Sequence, residues 1–192
     1  MNLPNKLTVS RLVLVFVYAI FAFPATWFRA APWIALVIYL VASATDSLDG
    51  YLARKNRQVT DFGKFLDPIA DKLLVSTAMI SLIPVVHARE DWTYHIYLWA
   101  TLITLSREFA VSGVRMIAAS RGKVIAAGKM GKLKMLFQTI SIIVLLFDRA
   151  LYNGEEGVLF IIGTAVLGIA TLLAIWSGLE YILQNKELLS TR

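Results

Sequence analysis

The sequence predicts an all-α, polytopic membrane protein of six transmembrane helices, and three observations carry that prediction. Of its 192 residues, 58% are hydrophobic, and the mean hydropathy is +0.67. That is more apolar than a soluble domain with a polar surface. Six apolar segments, at 11–28, 33–55, 62–86, 94–119, 131–148 and 157–183, are separated by short polar turns. Basic residues concentrate in alternate turns.

A bilayer core takes about 20 helical residues, and each segment meets or approaches that length. Lipid offers no partner to backbone N–H and C=O groups, so segments of this kind are helices. In the first, Lys6 and Arg11 precede the apolar run. A cleaved leader with its apolar core at 12–23 would read the same way, but the remaining segments need a first span to set their orientation. Thr8 and Arg11 read either as a helix cap with a positive-inside anchor or as contacts to a ligand.

The second segment runs into Asp46 and Asp49. The third carries Asp67 and Asp71 near its start, with Pro68 between them. A proline there removes one backbone donor, so the helix either kinks or starts late. The fourth contains Arg107, Glu108 and Arg115; the fifth opens with Lys132 and Lys134. In the last, Gly163 and Gly168 read as packing residues. Trp27, Trp33, Trp92 and Trp99 lie near the expected boundaries as belt anchors, and His87 and His95 flank an outer turn. With no repeat and no flexible linker, residues 1–192 read as a single domain.

Orientation follows from charge. Lys6, Arg54, Lys55, Arg57, Lys64, Arg121, Lys123, Lys129, Lys132, Lys186 and Arg192 fall on one side. The other carries Arg29, Arg89 and Arg149 beside Glu90, Asp91, Asp148, Glu155 and Glu156. The positive-inside rule then puts both termini in the cytoplasm after six crossings. The net charge of +6 reports topology and anionic headgroups rather than nucleic acid. The absence of cysteine excludes disulfides, thiolate catalysis and cysteine-based zinc sites.

Ionisable groups within membrane helices cost several kcal/mol and normally line a polar cavity. Those of the second, third and fourth segments all lie toward the cytoplasmic ends, so the cavity opens to the cytoplasm. Asp46, Asp49, Gly50 and Ala53 recur at helical spacing and form one stripe; Gly63, Asp67 and Asp71 form another. The short connection between them makes the two helices antiparallel neighbours whose acidic stripes face each other across a cleft. Four carboxylates in one cleft need compensation. Two divalent cations match their formal charge, and oxygen-only ligands select magnesium, manganese or calcium over zinc. A two-metal site clamps a phosphoryl group. Gly50, Ala53 and Gly63 leave room for a flat ligand such as a nucleotide, and Arg54 offers a fork to phosphate. The competing reading has the four acids merely paired with Arg54, Lys64 and Lys72.

The segment Asp46-x-x-Asp49-Gly50-x-x-Ala53-Arg54, eight residues, then Gly63-x-x-x-Asp67-x-x-x-Asp71 resembles the signature of the CDP-alcohol phosphatidyltransferases at every specified position. The resemblance extends to residues 2–11, 65–72, Arg107-Glu108 and 131–134. It implies six transmembrane helices, a homodimer, and an active-site cleft facing the cytoplasm of a bacterial membrane. It implies Mg2+ or Mn2+ held by Asp46, Asp49 and Asp67, with Asp71 as the base and also close to a metal. Gly50, Ala53, Arg54 and Gly63 would border the CDP moiety, with Thr8 and Arg11 at substrate phosphate. The implied donor is CDP-diacylglycerol and the implied acceptor sn-glycerol 3-phosphate.

An acceptor of that kind needs a site for its own phosphate. Arg107 and Arg115 lie eight residues apart, about two helical turns, and so share a face. With Lys132 and Lys134 they form the candidate acceptor-phosphate site, and Glu108 would pair with a neighbouring base or orient an arginine. Within the family, phosphatidylglycerol or inositol phosphate would be the alternative acceptor. A divalent-cation transporter would place its acids at mid-membrane with a path to both sides, whereas these cluster at one end. A scaffold would not retain so many intramembrane charges.

The topology is open to direct measurement. Arg57→Cys and Asn153→Cys, each introduced singly into this cysteine-free chain, are expected to react with a membrane-impermeant thiol reagent from opposite faces. Labelling of both from the outer face would overturn the orientation.

Overall fold

A computed structural model describes residues 3–23, 28–55, 61–87, 92–120, 128–152 and 157–184, with side chains described in these except at 3–4, 46–55, 61–65, 67 and 119–120. Among the described residues the fold is entirely helical: α1 (Leu3–Ala22), α2 (Ala31–Lys55), α3 (Asp61–His87), α4 (Trp92–Ser120), α5 (Lys129–Tyr152) and α6 (Val158–Gln184). The protein is a polytopic α-helical membrane protein. α1, α3, α5 and α6 each contain a window long and apolar enough to cross a bilayer, and α2 is apolar from Ala31 to Thr45. α4 carries Arg107, Glu108 and Arg115 along its length, which dilutes its hydropathy.

The surface has the character of a lipid-facing one. Phe16, Ile161, Leu172 and Leu183 are each more than two-thirds exposed, while Arg11, Lys134, Gln138, Asp148 and Arg149 are buried. Water would drive such a distribution the other way; hydrocarbon imposes no penalty on the exposed apolar faces.

The chain forms two compact units. The first comprises Met1–Arg89 and Leu145–Gly157, the second Glu90–Val144 and Val158–Arg192. In the first unit, α1 packs extensively against both α2 and α3. α1 begins eight residues before the expected start at residue 11, and ends at Ala22 rather than 28. Its buried positions explain the early start. Asn5, Thr8, Arg11, Val15, Tyr18 and Ala22 recur every three or four residues, so a polar stripe continues the apolar one down the same face. Hydropathy marked only the apolar part. Thr8 therefore lies inside the helix and is not its cap. Pro68 also lies inside a helix, since α3 starts before it at Asp61; the late-start alternative is excluded.

Ala35, Ala42 and Ala78 are buried in this unit, and small residues let helices approach closely. Tyr18 stacks at a tilt on Tyr39, centroids 6.1 Å apart. Its hydroxyl lies 2.8 Å from Ser81 Oγ, while Ser81 Oγ donates to the Ala78 carbonyl at 2.8 Å. With that proton committed, Tyr18 is the donor. Arg149 Nη1 donates to the Ser81 carbonyl at 3.4 Å, so α1, α3 and the end of α5 meet at one residue. The charge pattern assigns Asp148 and Arg149 to an outer connection; instead α5 continues past them to Tyr152 and both are buried. Trp33 packs edge-on against Phe147 at 5.7 Å.

In the second unit α4 packs along α6. The buried face of α6 runs Phe160, Gly163, Leu167, Ala170, Thr171, Ala174, Ser177, Gly178 and Tyr181, a helical stripe. Ser141 Oγ donates to the Gly163 carbonyl at 2.7 Å, joining α5 to α6. Thr104 and Thr171 hydroxyls lie 3.5 Å apart across α4 and α6. Gly163 is a packing residue; Gly168 is not, because a Cβ there would meet nothing within 4 Å.

The Tyr18–Ser81 bond has a measurable consequence. Tyr18→Phe leaves packing intact and removes one buried donor, so the unfolding free energy in mixed micelles should fall by about 0.5–1.5 kcal/mol, the range for interhelical bonds in membranes. An unfolding midpoint equal to the parent's would show that this bond contributes nothing.

Candidate functional site

The acidic motif occupies the last turns of α2 and the first turns of α3. Both helices run unbroken through it, so Asp46, Asp49, Gly50, Ala53 and Arg54 are helical, as are Gly63, Asp67 and Asp71. Helical rise separates Asp46 from Asp49 by about 4.5 Å and Asp67 from Asp71 by about 6 Å along the axes. Each pair therefore shares a helix face, as the spacing predicts. Asp71 is half-buried and engaged within the protein. The side chains of Asp46, Asp49, Gly50, Ala53, Arg54, Gly63 and Asp67 lie outside the described residues. Lys72, one of the cations invoked by the ion-pairing alternative, turns back to donate to the Pro68 carbonyl at 3.1 Å.

The donor chemistry suits hard divalent cations: carboxylate oxygens only, on consecutive helices, with no cysteine anywhere in the chain. Among the described residues no group of three or more His, Cys, Asp or Glu gathers as an alternative metal site. His87 is exposed, and His95 is exposed with its ring against Tyr94 at 5.2 Å. Neither competes as a ligand.

Thr8 and Arg11 belong to the same unit. Both are fully buried on one face of α1 and engaged within the protein. A buried guanidinium in a membrane helix is retained only where other groups compensate it.

The second unit holds the basic constellation. Arg107 on α4 donates from Nη2 to Ser177 Oγ on α6 at 2.8 Å. Its Nε–H is buried with no hydrogen-bond partner among the described residues, which costs about 1–3 kcal/mol unless a ligand supplies an acceptor. The guanidinium also lies near Gly131 on α5, where a Cβ would sit 3.5 Å from Nη2. Glu108, the next residue, forms an ion pair with the buried Lys134 ammonium. That pairing answers which base Glu108 takes. Arg115 is exposed, with its guanidinium carbon 5.6 Å from the Tyr181 ring centroid. Lys132 is exposed one turn into α5. Arg107, Glu108 and Lys134 are thus brought together, and Arg115 is joined to Tyr181.

Three residues of this constellation escape a reading of the sequence: Ser177, Gly178 and Tyr181. Their signal is the spacing i, i+1, i+4 near the end of a largely apolar helix, but nothing in it says which helix they face.

The sequence matches the CDP-alcohol phosphatidyltransferase family over residues 1–176. It is 38% identical to a CDP-diacylglycerol–glycerol-3-phosphate 3-phosphatidyltransferase of Bacillus subtilis (strain 168), covering 99% of this chain and 98% of that protein. It is 35% identical to the enzyme of the same name from Escherichia coli (strain K12), covering 94% and 93% respectively. The Shigella flexneri protein of that name is likewise 35% identical over 94% of the chain. With the whole D-x-x-D-G-x-x-A-R signature and its downstream Gly-Asp-Asp set on two consecutive helices, the chain belongs to the CDP-alcohol phosphatidyltransferase family.

Proposed function

We propose that this protein transfers the phosphatidyl group of CDP-diacylglycerol to sn-glycerol 3-phosphate, releasing CMP and forming phosphatidylglycerol phosphate. One observation carries the reading: the family's complete acidic signature lies on the consecutive helices α2 and α3, in a chain that aligns nearly end to end with relatives named for that reaction. Residues 1–192 act as one functional domain.

Asp46, Asp49, Asp67 and Asp71 would hold two divalent ions, Mg2+ or Mn2+. Such ions supply charge neutralisation at the pyrophosphate and at the leaving CMP. Gly50, Ala53 and Gly63 keep side-chain bulk away from the cytidine, while Arg54, Thr8 and Arg11 serve the donor's phosphates. Asp71 accepts the proton of the acceptor hydroxyl. The hydroxyl oxygen forms a bond to the lipid-side phosphorus as the bond from that phosphorus to CMP breaks. Arg107 and Arg115, with Lys132 and Lys134, are assigned to the acceptor phosphate; a guanidinium matches its oxygens with paired donors. Lys134 acts there while paired with Glu108. The basic bias of alternate turns supports six crossings of a bacterial cytoplasmic membrane with both termini inside. The working form is taken as a homodimer, as the family resemblance implies.

CMP release by the purified protein, with glycerol 3-phosphate, phosphatidylglycerol, inositol phosphate and glycerol offered as acceptors, tests the assignment. Glycerol 3-phosphate is expected to be preferred; preference for an uncharged alcohol or for phosphatidylglycerol would overturn it. Activity should vanish on metal stripping with EDTA and return with magnesium or manganese. Asp49→Asn, which removes a ligand charge and little volume, should lower kcat by about a hundredfold or more with helix content unchanged. Full turnover in excess chelator would eliminate the two-metal mechanism.

Arg115→Ala should raise the KM for glycerol 3-phosphate by about tenfold, the scale of one charge-assisted contact, and leave that for CDP-diacylglycerol nearly unchanged. An unaltered dependence on acceptor concentration would remove Arg115 from the acceptor site.

A further inference from the structure

Arg107 sits in a cradle that no assignment above uses. Ser177 Oγ accepts a hydrogen bond from its Nη2 at 2.8 Å. The Ser177 hydroxyl proton is committed to the Ala174 carbonyl, 3.3 Å away on the same helix. A hydroxyl bound back to its own helix can rotate no further without losing that bond, so its lone pair is held toward α4. Beside it, Gly178 receives the stem of the arginine: a Cβ at this position would stand 3.0 Å from Arg107 Cγ and 3.8 Å from Nε. Both residues are buried. One turn further along, the Tyr181 ring lies 5.6 Å from the guanidinium carbon of Arg115, and Tyr181 packs with Val111 and Val114 of α4. A single stripe on α6, spaced i, i+1, i+4, therefore touches both arginines of α4. All three residues lie beyond the 1–176 span matched by the family.

We propose that Ser177 and Gly178 are positioning residues: they fix the rotamer of Arg107 and so set the affinity for the acceptor's phosphate, without contacting substrate themselves. The inference rests on the assignment of Arg107 to that phosphate. Its physical basis is leverage. Cγ lies near the root of the arginine, so displacing it by a few tenths of an ångström moves the guanidinium farther. Two donors must meet two oxygens for the fork to bind bidentately. The Nε–H is buried and has no hydrogen-bond partner among the described residues, so a donor remains for an acceptor oxygen.

The test is steady-state kinetics of CMP release on purified full-length protein, varying glycerol 3-phosphate and CDP-diacylglycerol independently. Gly178→Ala and Ser177→Ala should each raise the KM for glycerol 3-phosphate about threefold to tenfold, a change of about 0.7–1.4 kcal/mol in binding. The KM for CDP-diacylglycerol and kcat should stay within about twofold. Ser177→Thr keeps the accepting hydroxyl and should restore the parental value. Gly168→Ala, the same change on the same helix where a Cβ meets nothing within 4 Å, should be silent. A general loss of helix packing would instead depress kcat and both KM values together, and that pattern would overturn the proposal. Should Gly178→Ala fail to fold, the comparison of Ser177→Ala with Ser177→Thr decides alone. Arg107→Ala separates the two levels of the argument. If it raises the acceptor KM while Ser177→Ala and Gly178→Ala behave like Gly168→Ala, the positioning role falls and the acceptor assignment stands. If Arg107→Ala itself leaves the acceptor KM unchanged, both fall.

Discussion

Lipid offers no hydrogen bonds, so each polar group buried in a membrane helix must find its partner within the protein. The interior meets that constraint in a recurring way. Ser81, Thr171 and Ser177 each donate to a carbonyl three or four residues back on their own helix, at 2.8, 2.8 and 3.3 Å. Each then presents an oxygen lone pair sideways to a neighbouring helix. Tyr18 uses Ser81, Thr104 uses Thr171, and Arg107 uses Ser177. The hydroxyl acts as an adaptor: it converts a saturated helix surface into an acceptor at a chosen point. In water such back-bonding competes with helix stability and adds little. Where solvent cannot substitute, it becomes a means of joining helices.

The same constraint explains how charge is distributed. α6, with the highest apolar content, carries Thr171, Ser177 and Tyr181 on its buried stripe, and its exposed polar side chains Glu180 and Gln184 sit in its last two turns. α4 carries charges that hydrocarbon would reject: Glu108 is compensated by Lys134 and Arg107 is held by Ser177. Two of these partners, Arg107 and Lys134, are among the residues proposed to bind the acceptor phosphate. A group that must be charged for binding has to be stabilised before the ligand arrives. Partial compensation by a neutral hydroxyl does this without cancelling the charge, as an ion pair with a carboxylate would. Arg107 and Lys134 represent these two solutions.

Much of the fold was legible in the residues. Helix type followed from the length of each apolar segment, and α2 to α6 begin and end within a few residues of where hydropathy places them. α1 was not legible in that way, because hydropathy averages a face that is polar at Asn5, Thr8 and Arg11 with one that is apolar beyond it. Burial follows one stripe along both. Asp148 and Arg149 were misplaced for a related reason. A charged pair reads as a boundary, yet Ser81 supplies a carbonyl that lets the arginine stay inside.

The sequence by itself determined the class of protein and the helical spacing of its acidic motif. Composition sets the solvent a chain must fold in, and helical periodicity places Asp46 with Asp49 and Asp67 with Asp71 on shared faces whatever surrounds them. These are local properties, carried by spacing along one helix. Tertiary structure alone decided which groups meet across helices: that Glu108 takes Lys134, that Ser177 and Gly178 receive Arg107, and that Tyr181 lies against Arg115. Such pairings depend on the rotation of each helix about its axis and on its height against its neighbour. Those two quantities emerge from the packing of whole faces, and no short stretch of sequence encodes them.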